Sequence, residues 1–193
     1  NRAQRKYGKE LKENPSPLLR AFIVKRMLTD DELAQWGIGF APDNFQTITP
    51  ALIEQGIWKI GNEIGITREK NTKKFDTLVN RMVFPIYNEQ QVLLGFGGRV
   101  LDDAQKPKYV NPKDSFCYDK SRVLYGLNFA KNHIQKEKKA FLAEGYMDVI
   151  SCHKNGLENT VASCGTAVTP RQVMLLKRYC QHVVLLMDGD AAG

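Results

Sequence analysis

Three short apolar runs lie in the last third of the chain, AFLAE (140–144), TVASC (160–164) and HVVLLM (182–187). The segments between them have helical spacing, so the pattern predicts strand, helix, strand, helix, strand. The first helix runs from Tyr146 to Lys154 and is stopped by Gly156. The second is capped by Thr169, with Pro170 at its first position, where a missing N–H costs nothing. HVVLLM is apolar without alternation, which predicts a strand covered on both faces. Two successive strand–helix–strand units imply a parallel sheet with right-handed crossovers.

Upstream, Leu18, Leu19, Phe22, Ile23 and Met27 fall at helical spacing between Ser16 and Leu28. Thr29 and Glu32 form a capping box that opens a second helix, stopped at Gly37. A third helix opens at Thr49-Pro50 and closes at Gly56. GIGFAPDNF reads as a turn-rich connection, residues 62–80 as a charged surface loop, and the polar, basic residues 1–13 as a frayed helix or linker tail, with a solvated terminus the better reading. Two strands, LVNRMVFPIY and QVLLGFGGRVL, are joined by a turn around Asn88–Gln90. Gly95, Gly97 and Gly98 require a bend or a close approach there. Gly97-Gly98-Arg99 is too short for a dinucleotide or P-loop fingerprint, and no helix follows it. LNFAKNHIQKEKK (127–139) is an amphipathic helix whose Lys-rich end marks a domain boundary. The expected fold class is α/β, with a mixed α+β part followed by a parallel-sheet part.

Composition narrows the classes. The chain has 193 residues, 42% hydrophobic and 25% charged, as in a soluble globular protein. No apolar run reaches the 18 or so residues of a membrane span, no signal-peptide pattern opens the sequence, and no membrane partner is expected. The four cysteines (117, 152, 164, 180) lack C-x-x-C spacing and the three histidines show no zinc pattern, which predicts reduced thiols and a cytoplasmic location. Net charge is +7. Residues 1–130 hold 20 Lys and Arg against 15 Asp and Glu, and residues 131–193 hold eight against six. A basic excess outside an acidic cluster suits a polyanionic partner.

Two constellations carry candidate chemistry. Glu144 closes the first of the three late strands, Asp188 and Asp190 close the last, and Asp148 lies one helical turn after Glu144. In parallel sheets ligands sit beyond the carboxyl ends of the strands. Carboxylates crowded there would raise each other's pKa values, and a hard divalent cation, Mg²⁺ or Mn²⁺, resolves that conflict. An isolated Asp-x-Asp after a strand is often only turn chemistry. It is the matching acids at the ends of two strands that point to a metal site for phosphate chemistry. The second constellation is KPKYVNPKDSFCYDKSRVLYG (106–126), in which Lys106, Lys108, Lys113 and Lys120 alternate with Tyr109, Phe116, Tyr118 and Tyr125. Cations hold phosphates while rings stack on bases, so the pattern suits single-stranded nucleic acid. The alternative is a solvated loop with its rings packed inward.

EGYMDVI, SCGTAVTPRQVMLLKRYC and DGDAAG resemble the toprim domain, the metal-binding module of primases, topoisomerases and some nucleases. The Tyr-Met-Asp-Val form with the Gly-Thr-Ala and Thr-Pro steps is similar to the bacterial DnaG-type primases. RMVFPIYN, LLGFGGRVLDD and PKYVNPKDSFCYDKSRVLYGL resemble the basic subdomain of the same family. Two departures stand out. Asn111-Pro112-Lys113 replaces a frequent Asn-Ser-Pro, and Asp119-Lys120-Ser121 replaces His-Lys-Gly.

The resemblance implies a basic N-terminal subdomain over residues 1–135 and a toprim (Rossmann-like) subdomain over 136–193, truncated at its C-terminus. It implies a primase, a DNA-directed RNA polymerase working by metal-dependent nucleotidyl transfer. Glu144, Asp188 and Asp190 are the implied catalytic acids, with Asp148 as a further metal ligand for Mg²⁺ or Mn²⁺. Lys108, Tyr109, Asn111, Gly145 and Tyr146 are the implied nucleotide-binding residues, and Arg81, Arg99 and Lys120 the template-binding ones. The implied partners are a single-stranded DNA template, ribonucleoside triphosphates and the RNA/DNA hybrid. A replicative helicase and a single-strand-binding protein would act through parts outside this chain, as would zinc, held in a preceding module. The implied setting is the bacterial replication fork. The chain opens on Asn1 without a methionine and reads as an excerpt, so weak or absent primer synthesis is expected of it alone. A topoisomerase or nuclease with a toprim domain is one rival reading. A non-catalytic single-strand-binding module is the other.

Overall fold

The structure, a computed structural model, describes residues 2–165, 167–187 and 189. They fall into two units, one of Asn1–Pro85 and Gly95–Tyr118, the other of Ile86–Leu94 and Asp119–Gly193.

In the first unit, α1 (Arg2–Glu13) is followed by α2 (Pro17–Lys25) and α3 (Asp30–Gln35). Ser16 Oγ accepts from Leu19 N (3.1 Å) at the start of α2, which buries Leu19 and Phe22. The Thr29 capping box forms as expected: Glu32 N donates to Thr29 Oγ1 (3.2 Å) and Thr29 N to Glu32 Oε2 (2.7 Å). Helix α1 corrects one expectation. Residues 2–13 are not a solvated terminus, because Ala3, Tyr7 and Glu10 form a buried stripe and the Tyr7 ring meets Phe96 edge-on at 5.4 Å. The i, i+4, i+7 spacing was present in the sequence but hidden among charged residues.

Strand β1 (Gly39–Ala41) runs through the stretch read as a turn-rich connection. Then come α4 (Thr49–Glu54), α5 (Trp58–Glu63), and a hairpin of β2 (Thr67–Lys70) and β3 (Lys73–Asp76) where a surface loop was expected. Exposure of the hairpin's charged side chains hid it, because neither face gives a clean apolar alternation. Strands β4 (Arg81–Tyr87), β5 (Leu93–Val100) and β6 (Tyr109–Val110) complete a four-stranded sheet of order β1-β4-β5-β6.

Asp76, at the end of β3, organises this unit. Its buried carboxylate accepts from Thr47 N (2.7 Å), Ile48 N (2.8 Å), Thr49 N (2.8 Å) and Thr49 Oγ1 (2.6 Å). The Ile48 and Thr49 N–H groups are among those that the start of a helix leaves without intrahelical partners, and a carboxylate there also complements the helix dipole. Helix α4 therefore starts at Thr49-Pro50 as expected, but its cap comes from another strand.

The second unit contains α6 (Leu127–Glu137), β7 (Lys139–Ala143), α7 (Tyr146–Lys154), β8 (Thr160–Ala162), α8 (Pro170–Leu176) and β9 (His182–Leu186). The three strands form a parallel sheet of order β8-β7-β9, with Phe141 opposite Thr160 and Val184. Leu127, Ala130 and Ile134 of α6 pack with Leu124, Ala140, Leu142, Val161, Leu176 and Cys180 into one core. Full burial of each large aliphatic side chain contributes about 1.5–3 kcal/mol. The β4–β5 turn joins this unit: Lys131 Nζ donates to Glu89 O (2.6 Å) and Asn128 Nδ2 to Gln91 Oε1 (3.1 Å).

The described residues do not supply the cover expected on both faces of β9, and within them Leu185 is 61% exposed. Among the described residues β9 is an edge strand, paired with β7 on one side. An uninterrupted apolar run specifies a strand that needs cover, and these residues supply little of it.

Candidate active site and nucleic-acid interface

The acidic edge begins where β7 ends. Because β8 lies on one side of β7 and β9 on the other, the chain steps from β7 out to β8 and then crosses back past β7 to β9, reversing its direction of travel across the sheet. A crevice at such a switch point, beyond the strands' carboxyl ends, is where open parallel sheets bind ligands. Glu144 follows directly on the last residue of β7 and is half-buried. Its backbone carbonyl accepts from Cys164 N (3.0 Å), which ties the end of β7 to the loop after β8. Cys164 holds a φ of 55°, and burial pushes its thiol well above the usual range, so it is a packing group and not a nucleophile.

Asp148 stands in the first turn of α7, as the spacing predicted. One of its oxygens, Oδ2, accepts from Gly145 N at 2.9 Å. That contact caps α7 and occupies the Gly145 N–H, so this N–H does not point at a phosphate here. The Tyr146 side chain is displaced from its expected role too. It is 1% exposed, meets Tyr125 edge-on at 4.8 Å and hydrogen-bonds Cys164. A phenol so enclosed packs in the core and is not exposed at the acidic edge.

Asp188 and Asp190 lie outside the described residues. Among the described residues no group of three His, Cys, Asp or Glu side chains comes together. Glu144 and Asp148 offer only oxygen donors, and that donor chemistry fits a hard divalent cation, not zinc.

Lys120 is exposed, on a segment pinned to the start of α8. Gln172, fully buried, donates through Nε2 to Lys120 O (3.1 Å) and Val123 O (2.9 Å), and Thr169 Oγ1 donates to Ser121 O (2.6 Å). Asp119 accepts from Ser121 and pairs with Arg171 (3.2 Å) and Arg122 (3.3 Å). The Ser121 hydrogen bonds, with the two arginines, hold its carboxyl below the usual range. The Thr169 cap was legible in sequence; the Gln172 half of its capping box, and the reach of Gln172 to residues some fifty positions earlier, were not.

In the first unit, β6 pairs antiparallel with β5, setting Tyr109 opposite Arg99 and Val110 opposite Gly98. Lys108 and Asn111 flank β6 and are exposed, while Tyr109 is half-buried. Arg81 lies across Gly98. A Cβ on Gly98 would stand 2.7 Å from Leu78 Cδ2 and 3.1 Å from Arg81 Cδ, so a side chain there would displace Leu78 and crowd the Arg81 stem. Arg81 Nη1 also reaches Lys108 O at 3.4 Å. Gly95 admits Pro112 in the same way, at 3.0 Å from where a Cβ would be, which sets the path of the Asn111-Pro112-Lys113 variation.

Arg99 departs from the expected template role. It is 0% exposed. Its Nη2 pairs with Asp103 Oδ1 (2.8 Å), Nε donates to the Tyr109 hydroxyl (3.1 Å), and its guanidinium lies 4.5 Å from the Phe22 ring centre. An arginine held this way braces Tyr109 and does not track a backbone. Sequence reading missed Asp103 and Phe22 as its partners.

A parallel sheet with an acidic carboxyl edge, preceded by a basic mixed α+β part, defines the class, and comparison with known proteins places the chain within it. Residues 6–131 match the N-terminal domain of the DNA primase catalytic core, and residues 141–193 match a toprim-like domain. The chain therefore belongs to the DnaG-type DNA primase family. It is 38% identical to the DNA primase of Halalkalibacterium halodurans and 39% to that of Clostridium acetobutylicum, in each case over 90% of this chain and 29% of the relative. It thus spans about three-tenths of the length of these curated relatives. The RNA polymerase domain of Mycobacterium tuberculosis primase DnaG superposes with a TM-score of 0.90 at 30% identity, covering 99% of this chain and 65% of that one. A DnaG primase catalytic domain bound to single-stranded DNA superposes at 0.89 with 31% identity, covering 99% and 60%. No helix among the described residues is long and apolar enough to cross a membrane.

Proposed function

We propose that the protein carrying this chain is a primase that synthesises short RNA primers on single-stranded DNA in replication. The reaction is attack of a 3′-hydroxyl on the α-phosphate of an incoming ribonucleoside triphosphate, with release of pyrophosphate. The observation that carries the proposal is Glu144 at the carboxyl end of β7, at the switch point of the sheet, with Asp148 one turn further on.

Catalysis of this kind needs positioning and charge neutralisation more than covalent chemistry. Glu144, Asp148, Asp188 and Asp190 would hold Mg²⁺ or Mn²⁺, which when bound supplies neutralisation of phosphate oxygens and lowers the pKa of an attacking hydroxyl. Glu144 serves either as ligand or as general base. Lys108 and Asn111 bind phosphate and sugar, and Tyr109, braced by Arg99, packs beside them. Arg81 and Lys120 follow the template strand, as their charge suits a polyanion. In the same reading residues 1–135 act as the basic subdomain and 136–193 as part of the toprim subdomain. The RNA/DNA hybrid is the product held there. Replicative helicase and single-strand-binding protein engage parts outside this chain, in the cytoplasm at the replication fork.

The test is RNA synthesis from ribonucleotides on a single-stranded template by the full-length protein. Unprimed, Mg²⁺-dependent RNA is expected from the wild type. Glu144→Gln should lower the rate by about 10²–10⁴-fold, the range for loss of a general base, with template affinity unchanged. No RNA from the wild type, with DNA binding indifferent to Mg²⁺, would leave a single-strand-binding module as the function.

A further inference from the structure

Four aromatic residues are interleaved with the basic residues of the 106–126 segment, and the structure sorts them. Tyr118 and Tyr125 are buried. Tyr109 is half-buried, with its hydroxyl taken by Arg99. Phe116 is 77% exposed. A lone exposed apolar side chain is ordinary on a protein surface. What sets Phe116 apart is how it is held. Ser115 N donates to Tyr118 O (2.9 Å) and Tyr118 N donates to Ser115 O (3.3 Å), closing a two-residue turn with Phe116 and Cys117 at its tip. The Ser115 hydroxyl lies 3.4 Å from Cys117 Sγ. The buried Tyr118 ring anchors the turn, so the phenyl ring is displayed on a fixed backbone instead of folding inward.

Lys106, Lys108 and Lys113 of the same segment are exposed, with Asp114 between Lys113 and the turn. Single-strand binders combine such cations, which hold the phosphates, with aromatic faces on which bases stack. We propose that Phe116 is a base-stacking platform for single-stranded nucleic acid. Every base offers a π-face, so the contact adds affinity without adding sequence preference. This inference rests on the reading of the protein as a primase, since the occupant is its unpaired template strand.

The test measures the affinity of the full-length protein for an oligothymidylate by fluorescence anisotropy over a series of salt concentrations. Phe116→Ala should weaken binding roughly 5- to 150-fold, the range for loss of one stacked base. Phe116→Trp should restore it, with quenching of the added indole fluorescence as DNA binds. The slope of log K against log salt should stay at the wild-type value, because no cation is lost, whereas Lys113→Ala should flatten it. Thermal unfolding of Phe116→Ala should match the wild type, since the side chain is exposed. Affinity within twofold of wild type, or a loss that Phe116→Trp does not restore, would overturn the platform while leaving the primase reading intact. A wild-type protein that makes no primers and binds no single-stranded DNA would overturn the reading beneath it.

Discussion

Arg99 Nε donates to the hydroxyl of Tyr109 at 3.1 Å, across the short β5–β6 pairing that sets the two residues opposite each other. One basic residue of the sheet is thereby turned inward. Its charge is met by Asp103 and by the face of Phe22, and Nη1 has no hydrogen-bond partner among the described residues. A buried guanidinium with a single carboxylate partner depends strongly on that partner.

Replacing Asp103 by Asn should therefore destabilise the first unit by about 1–2 kcal/mol, less than a fully buried pair would cost, because the Arg99 side chain is 1% exposed but that of Asp103 is 49% exposed and screened by solvent. Urea unfolding measures the loss. Tyr109 should also lose its fixed position, so the KM for ribonucleotides should rise more than kcat falls. An unchanged KM in a destabilised protein would limit Arg99 to a structural role.

Asp76→Asn should cost about 2–4 kcal/mol. An amide keeps one acceptor oxygen but turns an NH₂ towards donors that the carboxylate satisfied, and it removes the charge that complements the start of α4. The variant's denaturant midpoint should fall with little change in the slope of the unfolding free energy against denaturant. A midpoint equal to that of the wild type would show that the four short contacts to Asp76 are replaceable by water.

His153 gives a pH dependence. It lies at the end of α7, where its Nε2 is 2.9 Å from the Thr160 carbonyl and donates to it. Burial pushes its pKa below the usual 6.5, against smaller opposing contributions from that hydrogen bond and from Glu158. Below about 6.5 the unfolded chain takes up a proton that the folded chain refuses, so stability falls with pH and levels off once pH passes the folded value. Thermal midpoints from pH 8 to pH 5 should decline in the wild type and decline less in His153→Gln. Parallel profiles would remove His153 as the source.

Much of this protein could be read from the sequence because its signals are local. The helix bounds of α7, the Thr29 and Thr169 caps, the β4–β5 hairpin and the position of Glu144 each depend on residues within a few positions of one another. A strand that ends in an acid and glycine places that acid at a sheet edge whatever surrounds it. The basic and aromatic pattern of residues 106–126 was equally plain. So was the close approach required at Gly95 and Gly98, though not its cause, which was Pro112 in one case and Leu78 with Arg81 in the other.

What tertiary structure alone decided is which polar groups face inward. Arg81, Arg99 and Lys120 look alike in sequence, yet only Arg99 is buried, because Asp103, Tyr109 and Phe22 converge on it from separate elements. Asp76 looks like any acid in a charged stretch, and becomes the cap of α4 because a hairpin carries it back 27 residues. Tyr146 follows the acidic edge directly but turns into the core against Tyr125, and Phe116 turns out. Burial of a charge or a ring is set by partners distant in sequence, and desolvation leaves no local signature for periodicity to detect.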